Sequence, residues 1–329
     1  MTRRRMNILR ILISAGALLF LFWRVVSPDE TFDVLRRADL RPLLGGLLLF
    51  VASLVIRAYR WIVLLRGLDS DVPFSRLVHL YFAGQFFSSF LPTQFGGDVM
   101  RALELTEDTD SPAAVGTVLL DRMIGLLILF VIGLVALPFV VTRIAPWLLW
   151  LLLIVSGTGL AAGVLVLEGR LLRRASAWLP QAVSLSGGGP LAQVYAAVTG
   201  CGWQAVGGAS AISLGFNIVN IFINWLAAQA VGIRIGMGYF FVVTPILSIS
   251  GLIPSIGGWG VREAVSTALF APVGVDENAA VALGITLNGI SLAAGLVGGL
   301  VYGIGRLRSR QKGQEKPNRE QDDHQLKQR

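Results

Sequence analysis

Charged and amide side chains stand inside stretches of this chain that are otherwise apolar, and they mark the places where chemistry could occur. Arg57 and Arg60 lie three residues apart and so share one face of a helix. An arginine within an apolar span costs about 2.5–3.5 kcal/mol on insertion scales, so each needs a partner or a wet site. A guanidinium fork suits a lipid phosphate; the plainer reading is that both side chains snorkel to the nearby end of their span. Asp121 and Arg122 are adjacent, so their side chains diverge by about 100° around a helix. They must find different neighbours, and Arg101 and Asp98 are the candidates. Arg262 and Glu263 repeat that mixed chemistry. One reading has Arg101, Arg122 and Arg262 holding an anionic head group while Asp98, Asp121 and Glu263 complete or gate the site. The other is a buried ion-pair network that fixes helix register. Ser213, Asn217, Asn220 and Asn224 recur at helical spacing as one polar stripe. That stripe either lines a hydrophilic groove, with Asn217 and Asn220 as binding residues, or hydrogen-bonds to a neighbouring helix.

Other chemistries find little footing. Cys201 is alone, and His79 and His324 are the two histidines, so neither a disulfide framework nor a metal cluster is expected. No His-Glu-x-x-His helix, Gly-x-Ser-x-Gly elbow or ATP-binding loop occurs. The triplets Asp69-Ser-Asp71 and Asp108-Thr-Asp110 resemble metal–sugar-nucleotide sites, but they fall in short loops with no soluble domain to hold a nucleotide. Neither a catalytic residue nor a cofactor is expected, and an intramembrane enzyme built from Asp, Glu and Arg is the catalytic alternative.

The elements that position these residues belong in a bilayer. Hydrophobic residues make up 54% of the chain and charged residues 15%, against about 25% charged in soluble domains. Runs of about 20 apolar residues match a hydrocarbon core of about 30 Å. Six full spans are predicted: Ile8–Val26 (read as uncleaved), Pro42–Leu65, Ala114–Val141, Ile144–Leu167, Gly207–Val231 and Ala279–Gly303. All must be helices, because a spanning backbone has to satisfy its own hydrogen bonds. Six spans put both termini on one side. On that arrangement 18 of the 28 Lys and Arg residues fall inside and five outside, the bias that retains cationic loops in the cytoplasm. The net charge of +8 is therefore topogenic, and no basic face with interleaved aromatics suggests nucleic acid. A linker over 181–206 separates halves at about 1–180 and 207–305 within a membrane domain of residues 1–305. Residues 306–329 read as a basic disordered tail, and Gly295, Gly299 and Gly303 as a close-packing face on the last span.

Two shorter apolar stretches, Leu77–Leu91 and Tyr239–Ile253, run into related breaks. The first continues as Pro92-Thr-Gln-Phe-Gly96-Gly97-Asp98-Val-Met-Arg101, the second as Pro254-Ser-Ile-Gly257-Gly258-Trp259-Gly260-Val-Arg262-Glu263. Proline stops each helix, and the glycines let the chain reverse. Broken backbone survives at membrane depth only when buried in protein or lining a wet cavity. Two re-entrant hairpins of opposite orientation, in matching places of two halves, are the pattern of a transporter-like inverted repeat; two ordinary Pro-Gly loops are the plainer alternative.

In these residues the chain resembles the flippase-like membrane domain of the lysylphosphatidylglycerol synthase family. The resemblance rests on Arg57-Ala-Tyr-Arg60-Trp61, Phe90-Leu-Pro92 through Gly96-Gly97-Asp98 to Arg101, Leu120-Asp121-Arg122, and Pro254 through Gly257-Gly258-Trp-Gly260-Val261-Arg262-Glu263. It extends to about Gly305 and implies a protein that moves, or helps move, lipid-linked head groups between leaflets. Full-length synthases of the family add a soluble aminoacyl-transfer domain, whose activity is not expected of this chain. The expectation is thus an all-α, multi-pass protein of the bacterial inner membrane with cytoplasmic termini, acting on membrane lipids or a polyprenyl-linked substrate. The alternative is a non-transporting partner of a separately encoded glycosyltransferase or lipid-modifying enzyme.

Overall fold

The structure, a computed structural model, describes residues 28–90, 95–140, 144–169, 189–251 and 259–326, with residues 174, 185, 253 and 255; side chains past Gly305 and that of Phe90 are left aside. The described regular elements are all helical. Among the described residues five helices are long and apolar enough to cross a membrane: α2 (Leu40–Arg66), α5 (Ser111–Val140), α6 (Pro146–Glu168), α8 (Gly202–Ala230) and the Glu277–Gly305 part of α11. Each agrees with an expected span to within about five residues at either end. The sixth expected span, Ile8–Val26, lies outside the described residues. Exposed Leu48, Val135, Phe139 and Leu300 give these helices an apolar outer surface, which lipid rather than water solvates.

Shorter helices complete the fold: α1 (Pro28–Arg36), α3 (Phe74–Phe90), α4 (Gly96–Leu105), α7 (Pro190–Gly200), α9 (Met237–Ser250) and α10 (Val261–Phe270). The stretch read as a linker over 181–206 is thus partly ordered, because α7 packs on α5 and α8 begins at Gly202. The backbone of α11 runs on to Leu326, through a tail whose composition suggests disorder. Its Glu, Gln, Lys and Arg residues are strong helix formers, and that propensity carries the helix past the membrane.

Both expected breaks separate a pair of packed helices, α3 from α4 and α9 from α10. Pro92, Pro254, Gly257 and Gly258 fall outside the described residues. Gly96 opens α4, and Gly97 is required by close approach: a Cβ there would collide with the carbonyl of Gly84 on α3. Gly260 precedes α10 with φ +82°, a left-handed conformation that glycine adopts without steric cost.

The packing has an internal regularity. Let α2, α3, α4 and α5 exchange places with α8, α9, α10 and α11. The contact of α2 with α8 maps onto itself, α3 with α11 onto α9 with α5, and α2 with α11 onto α8 with α5. Contacts within each set of four map onto one another too: α2–α3 onto α8–α9, α3–α4 onto α9–α10, α4–α5 onto α10–α11, and α2–α5 onto α8–α11. Gly295, Gly298 and Gly299 of α11 seat α3, whereas Gly303 meets no neighbour. The close-packing face therefore turns through 298 rather than 303, as 3.6 residues per turn demands.

Candidate functional site

Asp121 of α5, 1% exposed, is the hub of a network that joins five helices. It accepts from Arg60 Nε of α2 at 2.6 Å, from Arg101 Nη2 of α4 at 3.2 Å, and from the Tyr81 hydroxyl of α3. Arg60 also donates to Ser213 Oγ of α8 at 3.0 Å. Its guanidinium fits because Gly125 presents no side chain: a Cβ there would strike it. Arg101 lies over the rings of Tyr81 and Trp61, 3.7 and 4.3 Å from their centroids, and Trp61 is fixed in turn by an indole hydrogen bond to Thr117. Arg101 reaches Asp98 on its own helix at 3.3 Å, and Arg122 of α5 pairs with Asp98 as well.

Adjacent Asp121 and Arg122 therefore take different partners, Arg101 and Asp98, as their divergence on the helix requires. The network also grades from sealed to open. The side chains of Arg60, Asp121 and Arg101 are 4%, 2% and 6% exposed, those of Asp98 and Arg122 22% and 34%. Arg60 does not snorkel; it turns inward to a carboxylate.

The second half is built differently. Glu263 of α10, wholly buried, accepts from the backbone N–H of Gly260 at 2.7 Å and from Asn288 Nδ2 of α11 at 2.9 Å. It serves an otherwise orphaned donor at the helix start, where a carboxylate is favoured. Arg262 beside it forms no hydrogen bond or ion pair among the described residues. Arg57 has no such partner either, and its Nε is buried and unsatisfied. The rings of Phe216, Tyr81 and Phe50, at 5.3, 5.6 and 5.9 Å, surround its guanidinium. Aromatic faces attract a cation but leave its charge unneutralised.

These side chains converge on one cavity of about 310 Å³. Arg57, Arg60, Asp98, Arg101, Asp121, Arg122, Asn217, Asn220 and Arg262 all line it, from α2, α4, α5, α8 and α10. Glu263 stands behind the wall, with Asn288 between it and the cavity. Both readings of the polar stripe hold in part. Asn217 donates to the Gly125 carbonyl of α5 at 2.9 Å while lining the cavity, and Asn224 bonds back to its own helix. Residues the sequence reading passed over also contribute: Tyr81, Gln85, Ser88 and Ser89 of α3, and Asn288 and Ser291 of α11. Gln85 ties the two helices by donating to Ser291 Oγ at 3.0 Å. The signal that could have found the α3 residues is a polar face at i, i+4 and i+7 (Tyr81, Gln85, Ser88) on a short apolar helix.

Among the described residues no three of His, Cys, Asp and Glu gather as a metal would require. The Asp108 triplet is occupied structurally, since Arg76 pairs with Asp108, Glu107 and Glu104. Cys201 is buried, which pushes its thiol up to about 11. What the cavity offers is cation: five arginines against two aspartates line it.

A multi-pass helical membrane protein with a charged cavity between two similarly packed sets of helices is the class that fold and site define. The chain belongs to the lysylphosphatidylglycerol synthase family, in its membrane region: residues 7–299 match the family description "lysylphosphatidylglycerol synthase TM region". It is also similar to a UPF0104 membrane protein of Pyrococcus horikoshii, with 26% identity over 163 residues. That match takes in 48% of this chain and 47% of the relative, so it spans about half the relative's length.

Proposed function

We propose that the protein translocates an anionic or lipid-linked head group across the inner membrane, with both termini in the cytoplasm. The observation that carries this reading is the convergence of nine intramembrane polar and charged residues, drawn from both halves, on one cavity with a surplus of positive charge. Ion pairs that served only to fix helix register would have no need of a cavity, nor of arginines left without carboxylates. The paired exchange of helix contacts supports an inverted repeat, in which α3–α4 and α9–α10 are re-entrant hairpins entering from opposite faces. In transporters of that design the substrate site lies near the midplane, at the interface of the repeats. The arginines would hold a phosphate-bearing head group while the acyl or prenyl chains stay in lipid. The family membership agrees with a role in lipid handling. Membrane lipids or a polyprenyl-linked substrate are the proposed partners, with movement uncoupled or driven by a gradient.

The test is reconstitution into liposomes with short-chain fluorescent phospholipids and a polyprenyl phosphate, beside empty liposomes and the Arg122→Ala, Arg262→Ala double variant. Transbilayer movement well above that of empty liposomes, abolished in a double variant that still elutes as a monodisperse species, is the expected result. Absence of movement with every lipid overturns the reading in favour of a docking partner for a separately encoded lipid-modifying enzyme. Equal movement by both proteins overturns the arginine site.

A further inference from the structure

Within the cavity the five arginines fall into two groups. Asp121 and Asp98 between them serve Arg60, Arg101 and Arg122. Among the described residues Arg57 and Arg262 are left without a carboxylate, one from each half of the chain. The sequence segments outside the described residues ahead of the tail, 1–27, 91–94, 141–143, 170–188 and 252–258, contain neither Asp nor Glu. Glu263 has its oxygens engaged by Gly260 and Asn288 rather than by Arg262. The described residues of the cavity lining therefore carry a surplus of three positive charges, or two if the charge of Glu263 behind the wall is counted.

Such a surplus among apolar helices is a standing electrostatic cost that a ligand of opposite charge relieves. The size of the surplus selects among lipids. A phosphodiester such as phosphatidylglycerol brings a single negative charge, and its lysyl ester is a net cation. A terminal phosphate brings about 1.5 to 2 negative charges at neutral pH, and a diphosphate brings more. The guanidinium fork further favours unesterified oxygens, which accept two parallel hydrogen bonds.

We infer that the cavity is selective for a lipid whose head group is, or begins with, an unesterified terminal phosphate or a diphosphate, gripped from the two halves by Arg57 and Arg262. Phosphodiester and aminoacylated lipids are discriminated against by charge. The inference rests on the translocator reading for its lipid substrate, but it concerns binding and can be tested without transport.

The experiment uses the full chain in phosphatidylcholine nanodiscs. Apparent Kd values are taken from ligand-dependent shifts in the thermal midpoint. The probes are farnesyl diphosphate, farnesyl phosphate, phosphatidylglycerol and lysyl-phosphatidylglycerol. The diphosphate should bind at least about tenfold more tightly than phosphatidylglycerol, the monophosphate should fall between, and the lysyl ester should bind weakest. Each charge-assisted contact is worth roughly tenfold in affinity, so Arg57→Gln and Arg262→Gln should each weaken the diphosphate by about that factor. Arg57→Lys, which keeps the charge, should retain most of the preference. Because Arg57 holds no ion pair, Arg57→Gln should unfold at or above the wild-type temperature without ligand, separating a lost site from a lost fold. Arg234→Gln, a change at an exposed arginine paired with Gln229, should bind as wild type. Phosphatidylglycerol binding as tightly as the diphosphate, tighter binding of the lysyl ester, or unchanged diphosphate affinity in Arg57→Gln overturns the inference. Preserved diphosphate selectivity in a protein that moves no lipid would sink the translocator reading and leave this one standing. Movement of every lipid with no selectivity would do the reverse.

Discussion

The two helix–break–helix elements occupy matching places in the packing but hold themselves by different means. In the first, α4 is tied by charge: Arg101 and Asp98 join Asp121, Arg122 and Arg60 in a network that spans α2, α4 and α5. In the second, α10 is tied by a buried carboxylate held by the Asn288 amide and the Gly260 N–H, and by ring packing of Phe270 against Tyr239 and Phe240. The contrast assigns different work to chemically similar residues. Arginines of the first element are consumed by structure, whereas Arg262 of the second is left available. The matched packing sets where helices touch; it leaves open which of them commits its charge to its neighbours.

The comparison is broken most directly at Asp121. Among the described residues, Asp121→Asn keeps the shape but leaves Arg60 without a carboxylate and Arg101 with Asp98 alone. Breaking a buried pair by removing one partner costs about 3–5 kcal/mol, so this should give the largest fall in thermal midpoint of any single change considered. Pairing it with Arg60→Met removes the stranded cation, and stability should recover in part, a coupling that a double-mutant cycle reads directly. A loss no larger than that of a neutral core substitution would show that the first half is not held by charge.

The same question put to the second half has a smaller answer. Glu263→Ala strands the Gly260 N–H and the Asn288 amide, two donors whose loss of an acceptor costs about 1–3 kcal/mol. Glu263→Gln keeps one acceptor oxygen and should cost less. If Glu263→Ala matched Asp121→Asn, the two helix–break–helix elements would be equivalent after all and the distinction between tied and free arginines would fail.

How much of this was legible follows from which signals are local. The five spans could be read because a run of apolar residues is sufficient evidence of a spanning helix, and the boundaries of α2 and α5 moved by only a few residues. Arg57, Arg60, Asp121 and Arg262 stood out because charge is costly where they lie. That Asp121 would divide from Arg122 was legible from 100° per residue. What the sequence left undecided was tertiary. Arg60 and Arg57 share a face and a residue type and both lie over the Phe216 ring, yet one bonds to Ser213 and Asp121 while the other meets the ring of Tyr81. No spacing rule separates them, because the difference lies on other helices. Glu263 could not be told from a site acid for the same reason: its role as a cap depends on Gly260, and its distance from the cavity on Asn288. Gly303 was misassigned by counting in fours where the turn of the helix calls for threes and fours.

The smallest effect expected concerns the contact that joins the halves rather than the contents of either. Tyr302 of α11 donates to Glu104 Oε1 of α4 at 2.8 Å, and its ring meets those of His79 and Phe87 on α3. Tyr239 of α9 donates at 2.5 Å to the Leu269 carbonyl of α10 and stays within its own half. Phenylalanine at either position keeps the ring and removes one hydrogen bond, worth about 0.5–1.5 kcal/mol. The two variants should differ in kind. Tyr239→Phe touches a buried acceptor and should lower the thermal midpoint with little change in transport per folded molecule. Tyr302→Phe loosens a tie between elements that must move past one another if hairpins from opposite faces pass a head group between them. It should change the rate of lipid movement more than the midpoint. Equal rates in wild type and Tyr302→Phe would mean that lipid movement does not depend on the α4–α11 contact, and a moving seam would then have to be sought at α2 and α8, which also pack across the two halves.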